Sequence, residues 1–128
     1  MTTWYDELKK PPLTPPKKIF GTVWAVLYLF VTASLILYFL APAKPRVAVT
    51  LVLLAIHFTA GFTWTTIFFK KKKIFPALLD IILIDSTLIA LIVLFYGASP
   101  AAALLLVPYL CWGLFAGYLN WGIWRLNP

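Results

Sequence analysis

Few side chains in this sequence could carry out acid–base or metal chemistry. The chain has one histidine, His57, one cysteine, Cys111, and four acids, Asp6, Glu7, Asp80 and Asp85. His57 stands 13 residues before Lys70 and Asp85 stands 12 residues after Lys73. If both belong to neighbouring antiparallel helices, a rise of 1.5 Å per residue puts each roughly 18–20 Å below one lysine-marked surface. An ionisable group at such a depth in a membrane is by default a functional group, and it needs a partner. A His57–Asp85 hydrogen bond is therefore expected, either as mutual neutralisation or as a proton-handling pair. Asp80 is five residues from Asp85, roughly 140° around a helix, so the two carboxylates do not form an acid–base pair on one face. A second-turn position near Lys73 suits Asp80 to an interfacial role. The chain has no Ser/His/Asp arrangement, no C-x-x-C and no phosphate-binding glycine loop, and no catalytic residue is assigned.

The indole side chains form the second constellation. Trp24 lies six residues inside Lys18, Trp64 six residues short of Lys70, and Trp121 four short of Arg125. All three fall roughly 6–9 Å below the same surface, with Trp4 and Tyr5 just above it. Trp112 is deeper, roughly 20 Å down. A lipid-facing aromatic belt accounts for Trp124 and Trp121. It does not account for Trp112, whose N–H needs an acceptor in a hydrocarbon environment. An aromatic pocket drawn from three helices is the competing expectation. It would suit a flat, largely apolar ligand with a polar edge.

These residues need membrane helices to position them. The chain is 62% hydrophobic and 12% charged, far from a soluble domain. Four runs, 19–43, 47–69, 74–96 and 97–124, are uncharged or nearly so and long enough to span a bilayer. No period-two alternation suggests a β-barrel. The expected fold is all-α: one membrane domain over residues 1–128 with a lid segment at 1–16 and transmembrane helices at 17–43, 47–69, 74–96 and 97–124. Short connections predict an up-and-down bundle. The prolines Pro15 and Pro16 are expected in the first turn of the first span, where a missing N–H costs nothing. The lid before them is proline-stiffened, with Trp4 and Tyr5 as its anchor.

The charge of +7 would suggest nucleic acid in a soluble protein, but here it sits between apolar runs and reads as orientation. Nine cations fall on the lid side: Lys9, Lys10, Lys17, Lys18, Lys70–Lys73 and Arg125. Two, Lys44 and Arg46, fall on the other. The lid and C-terminus are thus expected in the cytoplasm, with the lipid bilayer and no nucleic acid as partner. The first residues, Met1-Thr2-Thr3, are too few for a secretory signal. A single cysteine permits no disulfide within the chain. Asn120 is expected to bond across two helices. Pro108 should kink the last span. Small residues at Ala60, Gly61, Thr65, Ala116 and Gly117 permit close packing.

Five ordered blocks resemble the translocator protein family, also called the tryptophan-rich sensory protein or TspO/MBR family. They are W-Y-x-x-L-x-K-P-x-x-x-P-P at 4–16, F-G-x-V-W-x-x-L-Y at 20–28, W-T-T-I-F-F at 64–69 and A-L-L-D at 77–80. The fifth is the pair L-L-V-P-Y-L-x-W-x-x-F-A at 105–116 and L-N-x-x-x-W-R-L-N at 119–127. The resemblance implies a homodimeric membrane protein of a bacterial or archaeal plasma membrane. It would bind tetrapyrroles such as protoporphyrin IX and haem, or sterol- and benzodiazepine-like molecules, as ligands rather than as required cofactors. Ligand contacts carried over by motif fall on Phe20, Gly21, Val23, Trp24, Leu83, Trp112, Ala116 and Leu119. Tyr5 and Trp112 match aromatics implicated in porphyrin handling. Trp64 joins them from the aromatic pattern, and His57 and Gly61 stand where the family usually has Gln and Asn. His57 as neutral imidazole is also a candidate haem ligand; no other metal site is expected.

The family has five helices, and the one preceding the lid is not found ahead of Trp4. Asp85 is a carboxylate where the family is normally neutral. The family's C-terminal sterol motif is broken, with Trp121 in place of its tyrosine. Two alternatives remain: a four-helix proton-coupled exporter that uses Asp85, and a porphyrin-degrading enzyme, since light-dependent porphyrin breakdown is attributed to some members.

Overall fold

A computed structural model describes residues 3–128 and shows only helices and their connections among them. The order is α1 Trp4–Glu7, α2 Lys17–Leu40, α3 Val47–Thr65, α4 Ile74–Ala98 and α5 Pro100–Leu126. A single π-helical turn, Thr66–Lys70, extends α3 to the lysine connection. Helices α2 to α5, with that turn, are each long and apolar enough to cross a membrane.

The helix ends follow local chemistry more closely than they follow the apolar runs. Pro16 is the extended residue before α2 rather than part of its first turn, and Lys17 and Lys18 open the helix. Helix α2 stops at Leu40 rather than at residue 43, because the extended Ala41 precedes Pro42, and a residue before proline is driven out of helical geometry. Gly97 and Ala98 end α4 instead of beginning the last span. The break is set by Ser99, whose hydroxyl accepts the Ala102 N–H, and by Pro100 in the first turn of α5. Pro108 lies inside α5, and the helix continues through it.

Around the bundle the order is α2, α5, α4, α3. Close main-chain approach runs along α2–α5, α4–α5 and α3–α4 and is sparse between α2 and α3. This is the expected up-and-down ring with one loose seam: α2 packs on α5 rather than on α3, the helix that follows it in sequence. Two buried contacts place α2, one to α5 and one to α4. Ser34 donates its hydroxyl to the Ala102 carbonyl of α5 at 2.6 Å. Tyr38 stacks on Phe95 of α4, with ring centroids 4.3 Å apart and planes 10° from parallel. Leu27, Val31, Leu88, Leu91 and Leu106 complete this core.

The lid folds back across the bundle end formed by the start of α2 and the C-terminus of α5. Thr3 and Asp6 form a capping box around α1. Trp4 packs edge-on against Phe68 at 5.5 Å, and Tyr5 lies against Phe68 and Phe69. Burial, and then the neighbouring Asp6 charge, raises the pKa of the Tyr5 phenol. Pro11 is buried on α5, where a Cβ added to Gly122 would come within 2.6 Å of its ring. Among the described residues, three hydrogen bonds fasten the strap to α5 and to Asn127 just beyond it. The Lys9 N–H donates to Asn127 Oδ1 at 3.0 Å, Asn127 Nδ2 to the Lys9 carbonyl at 2.8 Å, and the Tyr118 hydroxyl to the Pro12 carbonyl at 3.0 Å. Lys17 pairs with Asp6 at 2.7 Å. That hydrogen bond, and next the Thr3 backbone N–H, holds the Asp6 carboxyl at about 2, below its ordinary 3.8.

Two outcomes follow for hydrogen exchange at the Lys9 amide. Asn127→Ala should speed it roughly fivefold to tenfold, the loss of about one net hydrogen bond. Because Asp6 has a lowered pKa, its fastening is present above the unfolded value and is lost as pH falls through the folded one. Protection should hold from neutral pH to about 4 and decline between about 4 and 2. Lys17→Gln should shift that decline upward; an unchanged profile would assign no role to the ion pair.

Candidate ligand-binding site

Helices α2 and α5 face one another with aromatic side chains. Phe20, Trp24 and Tyr28 recur every four residues and share one side of α2. Tyr109 and Trp112 are three apart on α5. Trp112 meets Phe20 at 5.7 Å and Trp24 at 6.4 Å, both edge-to-face, and Tyr109 meets Trp24 at 6.4 Å. Val23 packs beside them. Phe115 and Tyr118 continue the row along α5. The Trp112 Nε1–H is buried and has no acceptor among the described residues.

His57 reaches this wall from α3. Its Nε2 lies 2.8 Å from the Tyr109 hydroxyl, and its Nδ1 lies 3.1 Å from both the Ile84 carbonyl and the Thr87 hydroxyl. A carbonyl can only accept, so Nδ1 carries the proton and Nε2 accepts from Tyr109. The expected His57–Asp85 bond is not made. The two residues share a depth but not a direction. Residues 84 and 87 present their polar atoms to α3, whereas Asp85, about 100° further round α4, faces α5. There its carboxylate sits against Gly113 and Gly117, and a Cβ on Gly113 would collide with Asp85 Oδ1. That oxygen is buried without a hydrogen-bond partner among the described residues. For His57 to ligate iron through Nε2, Tyr109 would have to give up its bond.

The void where the four long helices meet is small. Val31, Leu54, His57, Phe58, Leu106 and Tyr109 are among its lining residues, and its volume is about 10 Å³, room for one water at most. The rings of the aromatic wall rest on one another, Phe20 and Trp24 against Trp112 and Trp24 against Tyr109.

Trp64 and Tyr5 belong to a second cluster, beneath α1. Trp64 stacks on Phe68 at 5.0 Å, with Trp4, Tyr5 and Ile123 packed around it. Its Nε1–H donates to Asn120 Oδ1 at 3.0 Å, while Asn120 Nδ2 donates to the Ile74 carbonyl at 3.0 Å. Asn120 thus joins helices as expected. The single pocket wall drawn from three helices becomes two clusters, one at the α2–α5 face and one under the lid. Leu83 is exposed in a separate groove of about 360 Å³ between α3 and α4, lined also by Thr59, Thr63 and Asp80. Gly21 is exposed and Gly61 half-buried, and a Cβ at either would meet nothing within 4 Å. Ala116 is half-buried and Leu119 buried on α5. Tyr109 was not among the residues singled out from sequence. Its position three before Trp112, on the same face, is the signal that marks it.

Comparison with known proteins gives a consistent picture. The TspO/MBR family profile matches residues 1–125. Tryptophan-rich protein TspO of Bacillus cereus is 38% identical over 126 residues, covering 98% of this chain and 81% of that one. Protein CrtK of Rhodobacter capsulatus is 34% identical over 126 residues, 98% and 79% of the two chains. The translocator protein of Homo sapiens is 35% identical over 126 residues, 97% and 75% of the two.

Tyr109→Phe should destabilise the protein by about 1–3 kcal/mol, because the buried His57 Nε2 loses its donor. The paired change with His57→Leu should cost less than the sum of the single changes. Thermal unfolding in detergent measures both, and additive costs would contradict the bond.

Proposed function

The chain belongs to the TspO/MBR family, and on that premise we propose that it binds a flat apolar ring ligand, a tetrapyrrole such as protoporphyrin IX or haem, against Phe20, Trp24 and Trp112. The protein is an integral membrane protein, so such a ligand arrives through the bilayer. The observation that carries the reading is the Trp112 Nε1–H, buried among edge-to-face rings and without an acceptor among the described residues. An unpaired donor there costs about 1–3 kcal/mol, which a carboxylate or ring acceptor of the ligand would recover. The ring faces supply offset and edge contacts to a planar molecule. Sterol- and benzodiazepine-like molecules would use the same wall.

Pockets for molecules of this size are roughly 300–1,000 Å³. Binding therefore requires the wall to open, and the sparse α2–α3 seam is where the fewest packed contacts must separate. His57 and Tyr109, at the inner end of that seam, would meet the ligand's edge. Asp85 does not line the void and offers no contact to a ligand held there. The groove between α3 and α4, with Ala55, Thr59, Ala60 and Thr63 on it, is the face on which a second copy would pack in a homodimer, since small side chains let backbones approach.

Quenching of tryptophan fluorescence by protoporphyrin IX tests the assignment. Trp24→Phe and Trp112→Phe should each weaken high-affinity quenching roughly threefold to tenfold, beyond the loss of one fluorophore. If both variants quench with wild-type affinity, the ligand does not lie on this wall.

A further inference from the structure

The lid end carries more positive charge than its own acids offset. Lys9, Lys10, Lys17 and Lys18 stand on the strap and the first turn of α2, and Lys70–Lys73 run from the end of the π-helical turn to the start of α4. Asp6 and Glu7 are the acids of the strap, and Asp6 is taken up by Lys17. The two lysine groups converge on one aromatic platform. Trp4 and Tyr5 both rest on Phe68. Lys72 Nζ stands 5.8 Å from the Trp4 ring centre, and Lys10 and Lys17 Nζ stand 4.6 and 5.5 Å from that of Tyr5.

The connection is held in shape. The Lys71 N–H donates to the Thr66 carbonyl and the Lys73 N–H to the Ile67 carbonyl, while Lys72 takes a left-handed φ of 55°. Lys70–Lys73 are all exposed. Because this connection joins two membrane-crossing helices, it lies where lipid headgroups lie. Cation–π contacts hold the ammoniums over the rings but do not neutralise them. The lysines of strap and connection outnumber Asp6 and Glu7, so the platform between them is left net positive.

We propose that this cluster binds the phosphate headgroup of an anionic phospholipid, which bridges the strap to the α3–α4 connection and holds the strap closed. Four adjacent lysines next to a membrane helix are the pattern that draws anionic lipid. Here the aromatic platform adds the lysines of the strap to the same site. A topology signal alone requires the charges to be on this side; it does not require strap and connection to share one platform.

The test uses the full chain in phosphatidylcholine nanodiscs with and without phosphatidylglycerol. Native mass spectrometry reads retained lipid, and hydrogen exchange at the Lys9 amide reads strap closure. Wild type should retain phosphatidylglycerol in preference to phosphatidylcholine, with slower Lys9 exchange when it is present. Lys71→Gln with Lys72→Gln should cut the preference roughly tenfold or more and abolish the slowing. Lys71→Arg with Lys72→Arg should keep both, as should Lys44→Gln with Arg46→Gln at the opposite end. Should the glutamine variant fail to fold, wild type in roughly 0.5 M salt must lose the preference, because exposed charges are screened there. An undiminished preference in the glutamine variant or in high salt overturns the proposal. So does equal slowing by inorganic phosphate in phosphatidylcholine alone, which would make the site one for free phosphate.

Discussion

Where a polar side chain inside a hydrocarbon-facing bundle finds a partner on another helix, that bond decides how these helices assemble. Apolar contact between membrane helices is nearly indifferent to which neighbour is chosen, since lipid tails offer similar contact. Hydrogen bonds are not indifferent. Ser34 ties α2 to α5, His57 ties α3 to both α4 and α5, and Asn120 of α5 joins Trp64 on α3 to the start of α4. Each link spans two or three helices, and together they set the order α2, α5, α4, α3. The helices are otherwise coated with exposed leucine, valine, isoleucine and phenylalanine, which fit lipid without specifying a neighbour.

The same accounting separates what the sequence reveals from what it conceals. Four spans were legible because an uninterrupted apolar run of their length has no other stable arrangement. Depth was legible too: the constant rise of a helix places His57 and Asp85 at one level. Azimuth was not. Whether residue 84, 85 or 87 faces α3 depends on which helices pack together, and the connections of this chain leave that open. So the histidine was assigned an acid and found a tyrosine and a carbonyl. Helix ends failed for a different reason, because hydropathy continues smoothly across Ala41, Gly97 and Ala98 while proline and serine geometry sets the true breaks. Asn120 was foreseen because an amide at that depth has no alternative to bonding across helices.

Helix α5 connects the two aromatic clusters. One face presents Tyr109 and Trp112 to α2. Its terminal turns hold Asn120 against Trp64, leave Gly122 bare for Pro11, and offer Asn127 to the strap. A shift of α5 relative to α2 would therefore alter the wall and the strap's footing together. Asp85, fitted into the Gly113–Gly117 notch, limits such a shift on the α4 side, since any larger residue at 113 would collide with it.

Rigidity and compliance are thus distributed unevenly around the bundle. The α4–α5 side is closely approached, notched by glycine and fixed by Asn120, whereas the α2–α3 side carries few main-chain contacts. A planar guest needs one wall that keeps its shape and another that yields. Trp112 stands on the firm side with its N–H unspent, and Trp24 stands on the helix that borders the yielding seam. Separating them breaks edge-to-face contacts worth about 0.5–1.5 kcal/mol each. A guest with two aromatic faces restores those contacts and adds the acceptor that Trp112 lacks. Under the proposed ligand reading the wall would rest closed on its own rings, Phe20 and Trp24 against Trp112, and a bound ring would take their place.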